Sequence, residues 1–289
     1  MIFSSQQHSH ILENVRMLLW EGNVAYIIES MKSIEGQAFN AERPGTVPES
    51  ESTIRHQEIE SLREPMMHVL EQMRERIDRG EYNLIIGDDA SGRIPTWVFY
   101  NFLKKVYVRN NLPPPSVRYF AGSRNAMGKV VEKKTEEIAN HIARFVEKEK
   151  QKDNKGRQQK ALIVTDTIAT GNSLAPIVEA LRKNDMPLDV AAVSLFMSER
   201  NYEEIKERLH ADVFYGIAGS VSYIFGRGDL SGVTKQDANV FSEPVKKYGV
   251  AQQKTIREAR ADSKTLASQL VEWYEAGLSR QSSSEAGRK

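Results

Sequence analysis

The chain has 289 residues and no cysteine. That excludes a disulfide scaffold, a thiolate nucleophile and a cysteine-ligated zinc, and it suits a reducing compartment. Excess charge of one sign is also missing. Forty Lys and Arg stand against 39 Asp and Glu, for a formal net charge of +1. A dedicated nucleic-acid binder usually shows a strong basic surplus, so the whole-chain balance gives no strong nucleic-acid signal. A local basic patch is compatible with it. No run approaches the ~20 apolar residues of a membrane span, so no membrane partner is expected. The opening MIFSSQQHSH lacks a charged stretch leading into an apolar one, and the expectation is a cytoplasmic protein. The six histidines are scattered without metal-ligand spacing, and neither HExxH nor a nucleophile elbow occurs.

What is present changes character along the chain. Residues 10–31 carry apolar positions at steps of three or four and read as helix. Residues 33–53 hold Gly36, Pro44, Gly45 and Pro48 and read as a linker. A second helical pattern follows in Ile59, Leu62, Met66, Leu70, Met73 and Ile77, close to a heptad seam. That seam is compatible with a homodimer. Pro65 lies inside it, so either a helix begins there or the helix kinks.

From residue 83 the texture becomes alternating. Short apolar runs at 83–87, 116–121, 161–165, 188–196 and 212–217 read as strands. Helical patterns at about 95–109, 134–150, 173–184 and 200–209 lie between them. Strands that alternate with helices imply βαβ units, hence a parallel sheet with right-handed crossovers. The expected fold is α/β, with about five parallel strands flanked by helices. Added to it are an N-terminal helical segment (1–80, with the linker at 33–53) and a C-terminal helix. The α/β domain is placed at 81–250, the last helix at 251–277 and a disordered tail at 278–289.

The segment 161–174, ALIVTDTIATGNSL, carries the most chemistry. A buried strand delivers Asp166 at its carboxyl end, a tight loop containing Gly171 follows, and a helix opens near Asn172 and Ser173 with Pro176 in its first turn. Successive N–H groups, a helix N-terminus and the hydroxyls of Thr170 and Ser173 make an anion cradle. A carboxylate beside such a cradle suits a phosphorylated sugar. The plainer reading is also open: strand, turn and helix with Gly and Thr are ordinary punctuation, and Thr or Ser near a helix start are ordinary caps.

This segment resembles the PRPP-binding motif of type I phosphoribosyltransferases, an apolar strand, two acidic residues, two more residues, then Thr-Thr-Gly or Ala-Thr-Gly and a small or hydroxyl residue. Here Leu162-Ile-Val164 is followed by Thr165-Asp166, Thr167-Ile168 and Ala169-Thr170-Gly171-Asn172-Ser173. The likeness runs over roughly 82–220 in strand order and helix alternation, and it omits residues 1–80 and the last helix. It implies that 165–167 and 169–173 hold ribose and 5-phosphate, with Asp166 catalytic. The first of the family's two acidic positions is Thr165, which would bind a hydroxyl without charge.

Three further regions are implicated by the resemblance. LIIGDDASGRIP at 84–95 occupies the place of the family's pyrophosphate loop, with Ser91, Gly92 and Arg93 toward pyrophosphate, Arg93 also as a catalytic cation, and Asp88 and Asp89 toward Mg²⁺. The same stretch is also a good turn. AGSRNAMGKVVEKK at 121–134 corresponds to a loop that closes over the reaction, offering Arg124 to pyrophosphate and Lys129 as a catalytic cation. After the fifth strand, Tyr215, Tyr223 and Phe225 are candidates for stacking on a base. The implied activity is transfer of a 5-phosphoribosyl group from PRPP to a nucleobase-like nitrogen, with release of Mg²⁺-pyrophosphate. The alternative is a PRPP- or nucleotide-sensing regulatory protein on the same fold without catalysis.

Overall fold

The computed structural model describes residues 53–88, 90, 92–122, 129–152, 160–196, 202–220, 222, 228–234, 240–244 and 249–286. The helix read at 10–31, nearly all of the linker, and the site candidates Asp89, Ser91, Arg124, Tyr223 and Phe225 lie outside these residues.

In chain order the elements begin with α1 (Gln57–Glu60), α2 (Arg63–Gln72), α3 (Arg74–Asp78), β1 (Tyr82–Asp88) and α4 (Arg93–Arg109). They continue with β2 (Ser116–Phe120), α5 (Lys129–Lys152), β3 (Lys160–Ile168), α6 (Ala175–Arg182) and β4 (Leu188–Leu195). The last are α7 (Tyr202–Leu209), β5 (Asp212–Ala218), the short α8 (Gly228–Ser231), β6 (Val233–Thr234), β7 (Glu243–Pro244) and α9 (Val250–Ala286). The expected parallel α/β architecture is present. The strands β1 to β5 form one sheet in the order β2-β1-β3-β4-β5, and every pairing is parallel. Among the described residues no helix is long and apolar enough to cross a membrane.

The strand order explains the additional helices. Right-handed crossovers place α4 on one face and α5, α6 and α7 on the other. Ile138, Ile142, Ile177, Leu181, Ile205 and Leu209 of those three helices pack with Ala161, Ile163 and Val190 of the sheet. The α4 face would be left bare over β4 and β5, and buried strands require cover on both faces. Helix α2 provides it over β4 and β5, and α9 packs in turn on α4, α1 and α2. Ile59, Leu62, Met66, Leu70, Met73 and Ile77 share one core with α4, with Leu266, Leu270 and Tyr274 of α9, and with Leu162, Val164 and Ala191 of the sheet.

Two sequence expectations change as a result. The 59–77 pattern is three short helices broken at Ser61–Leu62 and at Met73, whose backbone leaves helical geometry at φ −96° and ψ 0°. Pro65 lies in the first turn of α2, where its missing N–H costs little. The seam is buried within its own chain, so it offers no dimer face. The boundary drawn at 80 therefore does not separate two cores. The last helix runs to Ala286, past the end read at 277.

Helix α9 is tied down by polar contacts. Asp262 accepts from the backbone N–H groups of Arg55 and His56 at 3.0 and 2.9 Å, and from His56 Nδ1 at 2.7 Å. Tyr274 donates to Asp78 Oδ1 at 2.8 Å, with the Arg74 guanidinium 4.1 Å over its ring.

The outer edge of β5 is closed by side chains. Tyr202 donates to the Val213 carbonyl at 2.6 Å and Gln72 Nε2 to the Tyr215 carbonyl at 2.8 Å. His68 Nδ1 lies 3.2 Å from the Gly216 carbonyl.

At the amino ends of the strands sits a charged cluster. Asp189 accepts from Tyr82 Oη at 2.6 Å and pairs with Arg76 at 2.6 Å and Lys160 at 2.7 Å. Arg76 also pairs with Asp212 at 2.5 Å, and Lys160 with Glu81 at 3.3 Å. Hydrogen bonding to Arg76 lowers the Asp212 pKa from its ordinary 3.8, against an opposing desolvation effect. For Glu81, burial would raise the pKa above 4.5, but Arg79 and Lys160 pull it below that value. Burial, with Asp189 nearby, raises the Tyr82 pKa above 10.0. A depressed carboxyl pKa adds stability above its unfolded value that is lost as pH falls through the folded one. A raised tyrosine pKa adds stability below 10.0 that is lost as pH rises further. A denaturant-midpoint profile against pH should therefore be flat through neutrality and fall on both sides, below the ordinary carboxylate range and above that of tyrosine. A flat acid limb in Asp212→Asn with Glu81→Gln would assign that side to these two groups.

Candidate functional site

Strand order reverses between β1 and β3. The chain leaves β1 toward β2 on one side, and β3 lies on the other. Open α/β sheets bind ligands beyond the carboxyl ends of strands at such a switch point. The loops that follow β1 and β3 are the two stretches singled out in the sequence, so the topology brings Asp88, Gly92 and Arg93 to the same crevice as residues 166–173.

The β3 loop has the following geometry. Asp166 is 1% exposed, and its Oδ1 accepts the Thr167 N–H at 2.7 Å. Thr165 is buried beside it, paired in register with Ala192 of β4. Thr167 is committed within the protein: its Oγ1 shares a hydrogen bond with Ser194 Oγ at 2.9 Å and accepts the Ser222 N–H at 3.2 Å. Gly171 turns the chain at φ +76°, a conformation that disfavours any side chain. The turn closes through Leu174 N–H to the Gly171 carbonyl at 3.0 Å.

The helix opens later than expected. Helix α6 begins at Ala175, with Leu174 at its N-cap and no side-chain capping bond. Thr170 and Ser173 therefore do not act as helix caps. Thr170 Oγ1 accepts only a long contact from the Asn172 N–H, at 3.4 Å. The N–H groups of Gly171 and Ser173 and the Ser173 hydroxyl have no acceptor or donor partner among the described residues. Arg208 of α7, which the sequence did not single out, holds the loop from outside. Its Nη1 donates to the Thr170 carbonyl at 2.6 Å and to Asn172 Oδ1 at 3.3 Å.

The β1 loop differs from its sequence reading. Gly92 does not offer its N–H outward, because it donates to the Asp88 carbonyl at 2.7 Å. Arg93, the first residue of α4, lies with its guanidinium 4.7 Å over the Tyr119 ring of β2. Asp88 is 2% exposed, and its Oδ1 accepts the Gly122 N–H at 3.3 Å. Gly122, just past β2, presses on the β3 loop: a Cβ there would fall 1.8 Å from the Ser173 carbonyl oxygen. The carboxyl ends of β1, β2 and β3 thus converge on one place. No local pattern encodes a meeting of residues about 50 positions apart, so this contact was not legible before the fold was in view.

Two candidates lie elsewhere or are partly described. Tyr215 sits within β5, packed edge-on against Tyr202 with ring centroids 5.3 Å apart. Lys129 opens α5, and nothing beyond its backbone is described. Among the described residues there is no group of three acidic or histidine side chains able to hold a metal. Of the two carboxylates considered for Mg²⁺, Asp88 is buried against Gly122 and Asp89 lies outside the described residues. Comparisons with protein-family models, curated proteins and solved structures give no match for this chain.

Proposed function

We propose that the crevice binds PRPP and that the protein transfers the 5-phosphoribosyl group to a nucleobase-like nitrogen. The supporting observation is the β3 loop at the switch point. It combines a positive-φ glycine, N–H groups and a hydroxyl without partners among the described residues, and a carboxylate one strand-end away. Such a loop suits a phosphate on the backbone N–H groups and ribose hydroxyls on Asp166. Any Mg²⁺ would arrive on the diphosphate of the substrate, as part of that substrate.

The role of the chain's own residues is positioning. The 170–173 backbone would fix the 5-phosphate, and Arg208 would keep that backbone from shifting. Asp166 would accept from ribose hydroxyls and offset positive charge at C1′ as the pyrophosphate departs. Arg93, resting on Tyr119, presents a planar fork suited to phosphate oxygens. Since Asp166 is 1% exposed, a ribose reaches it only when the residues above it part. Binding is therefore coupled to loop opening.

Thr165 favours a second reading, a PRPP-sensing protein without turnover, because it supplies a hydroxyl where the resembling family carries an acid. Calorimetry with PRPP and Mg²⁺, run beside pyrophosphate release over a panel of bases, separates the two. Turnover supports transfer, and binding without turnover supports sensing. No binding at millimolar PRPP would overturn both. Asp166→Asn should weaken PRPP binding by about tenfold or more while leaving the thermal midpoint nearly unchanged, the loss expected for a hydrogen bond to a charged group. Full affinity in that variant would mean that the ribose sits elsewhere.

A further inference from the structure

Residues 90–131 contain no Asp or Glu, yet they carry Arg93, Lys104, Lys105, Arg109, Arg118, Arg124 and Lys129. In a chain of net charge +1, that run concentrates positive charge on whatever it builds. Much of it builds α4, which has no acidic residue along its length.

Helices α4 and α9 lie side by side and run in the same direction. The Arg260 guanidinium rests 4.9 Å over the Trp97 ring, Lys105 donates to Ser268, and Arg109 pairs with Glu275. Positions four apart share a helix face. The row of 97, 101, 105 and 109 therefore meets the row of 260, 264 and 268, and the exposed Lys264 falls level with Asn101. Asn101, Lys104, Lys105, Val108 and Arg109 line a shallow cleft of about 320 Å³, and Val108 is 56% exposed. Helix α4 leads away from the crevice at its Arg93 end, so the cleft is a separate surface on the outer face of the helical layer.

We propose that the α4 face along this cleft, with the neighbouring cations of α9, binds single-stranded nucleic acid through its phosphates. Five cations, Lys104, Lys105 and Arg109 of α4 with Arg260 and Lys264 of α9, follow the two helices, with Glu275 paired to Arg109 and the exposed Glu272 ending the α9 row. Trp97 and Tyr100 lie half-buried along the same helix. A linear row of cations suits the phosphates of a single strand, and the half-buried Tyr100, one turn before Lys104, is the ring beside them for a base.

The test uses the full chain and a fluorescein-labelled single-stranded RNA of about 20 nucleotides, read by fluorescence anisotropy over a salt series. Binding should weaken steeply with salt, because each cation–phosphate contact contributes roughly 0.7 to the log–log slope. Lys104→Glu with Lys264→Glu should weaken binding at least about tenfold and flatten that slope by one or more. Both side chains are exposed and make no ion pair among the described residues, and Lys104→Gln with Lys264→Gln provides a milder pair whose fold is checked by circular dichroism. Arg118→Glu is the control, since that guanidinium lies over Phe145 on the opposite face of the sheet. It should leave affinity within about twofold. Three results would overturn the proposal: no binding at low salt, equal losses in the groove and control variants, or displacement of the RNA by polyglutamate at matched charge.

Discussion

Asp189→Ala should lower the unfolding free energy by about 3–5 kcal/mol, the range for removing one partner of a buried ion pair. The carboxylate is 3% exposed and is the shared acceptor for Arg76, Lys160 and Tyr82. Its loss leaves two cations and a buried phenol at the amino edge of three strands. Arg76 keeps Asp212 and Lys160 keeps Glu81, which places the expected value toward the lower end of that range. The contrast within the same cluster is informative. The Asp212 side chain is 48% exposed, and Asp212→Ala should cost under about 1 kcal/mol, as exposed pairs usually do. Guanidinium denaturation of both variants measures the difference. Equal and small losses would mean that the cluster is solvated rather than buried.

The second large effect is expected from a single methyl group. In Gly122→Ala the new Cβ would fall 1.8 Å from the Ser173 carbonyl oxygen, so backbone must move by more than an ångström. The 170–174 turn and the end of β2 cannot both stay in place. Displacement of a binding loop by about 1 Å can cost roughly 100-fold, and that is the expected loss of PRPP affinity. Hydrogen exchange at residues 170–174 should accelerate in the same variant, whichever ligand the crevice takes. Unchanged exchange together with unchanged affinity would show that the two loops do not touch.

Much of the fold was legible because each element states its own period. The apolar run at 161–165 is the middle of β3, and the 188–196 and 212–217 readings fall within a residue of β4 and β5. The helical patterns at 95–109 and 134–150 lie inside α4 and α5. The heptad-like seam misled, since a period of three and four describes any buried helical face, and several short helices share it as readily as one long one. The crevice was only half legible. Asp166 and Gly171 stand in a local strand–turn–helix pattern, whereas Gly122 against Ser173, Arg208 on the Thr170 carbonyl, and Arg93 on Tyr119 are tertiary meetings. Asp189 went unnoticed because an acid at the second position of an apolar strand looks like a boundary residue until its three partners, from three other elements, are in place.

The closed edge of β5 has a consequence for synthesis. Strand β5 is the last of the parallel sheet to be made, about 140 residues after the Gln72 and His68 that cover its carbonyls. Tyr202, which covers a third, is also made before it. A chain folding from its N-terminus would have the caps waiting when this strand arrives. The sheet then stops at five strands without passing through a stage in which its growing margin could capture a strand from a neighbouring nascent chain.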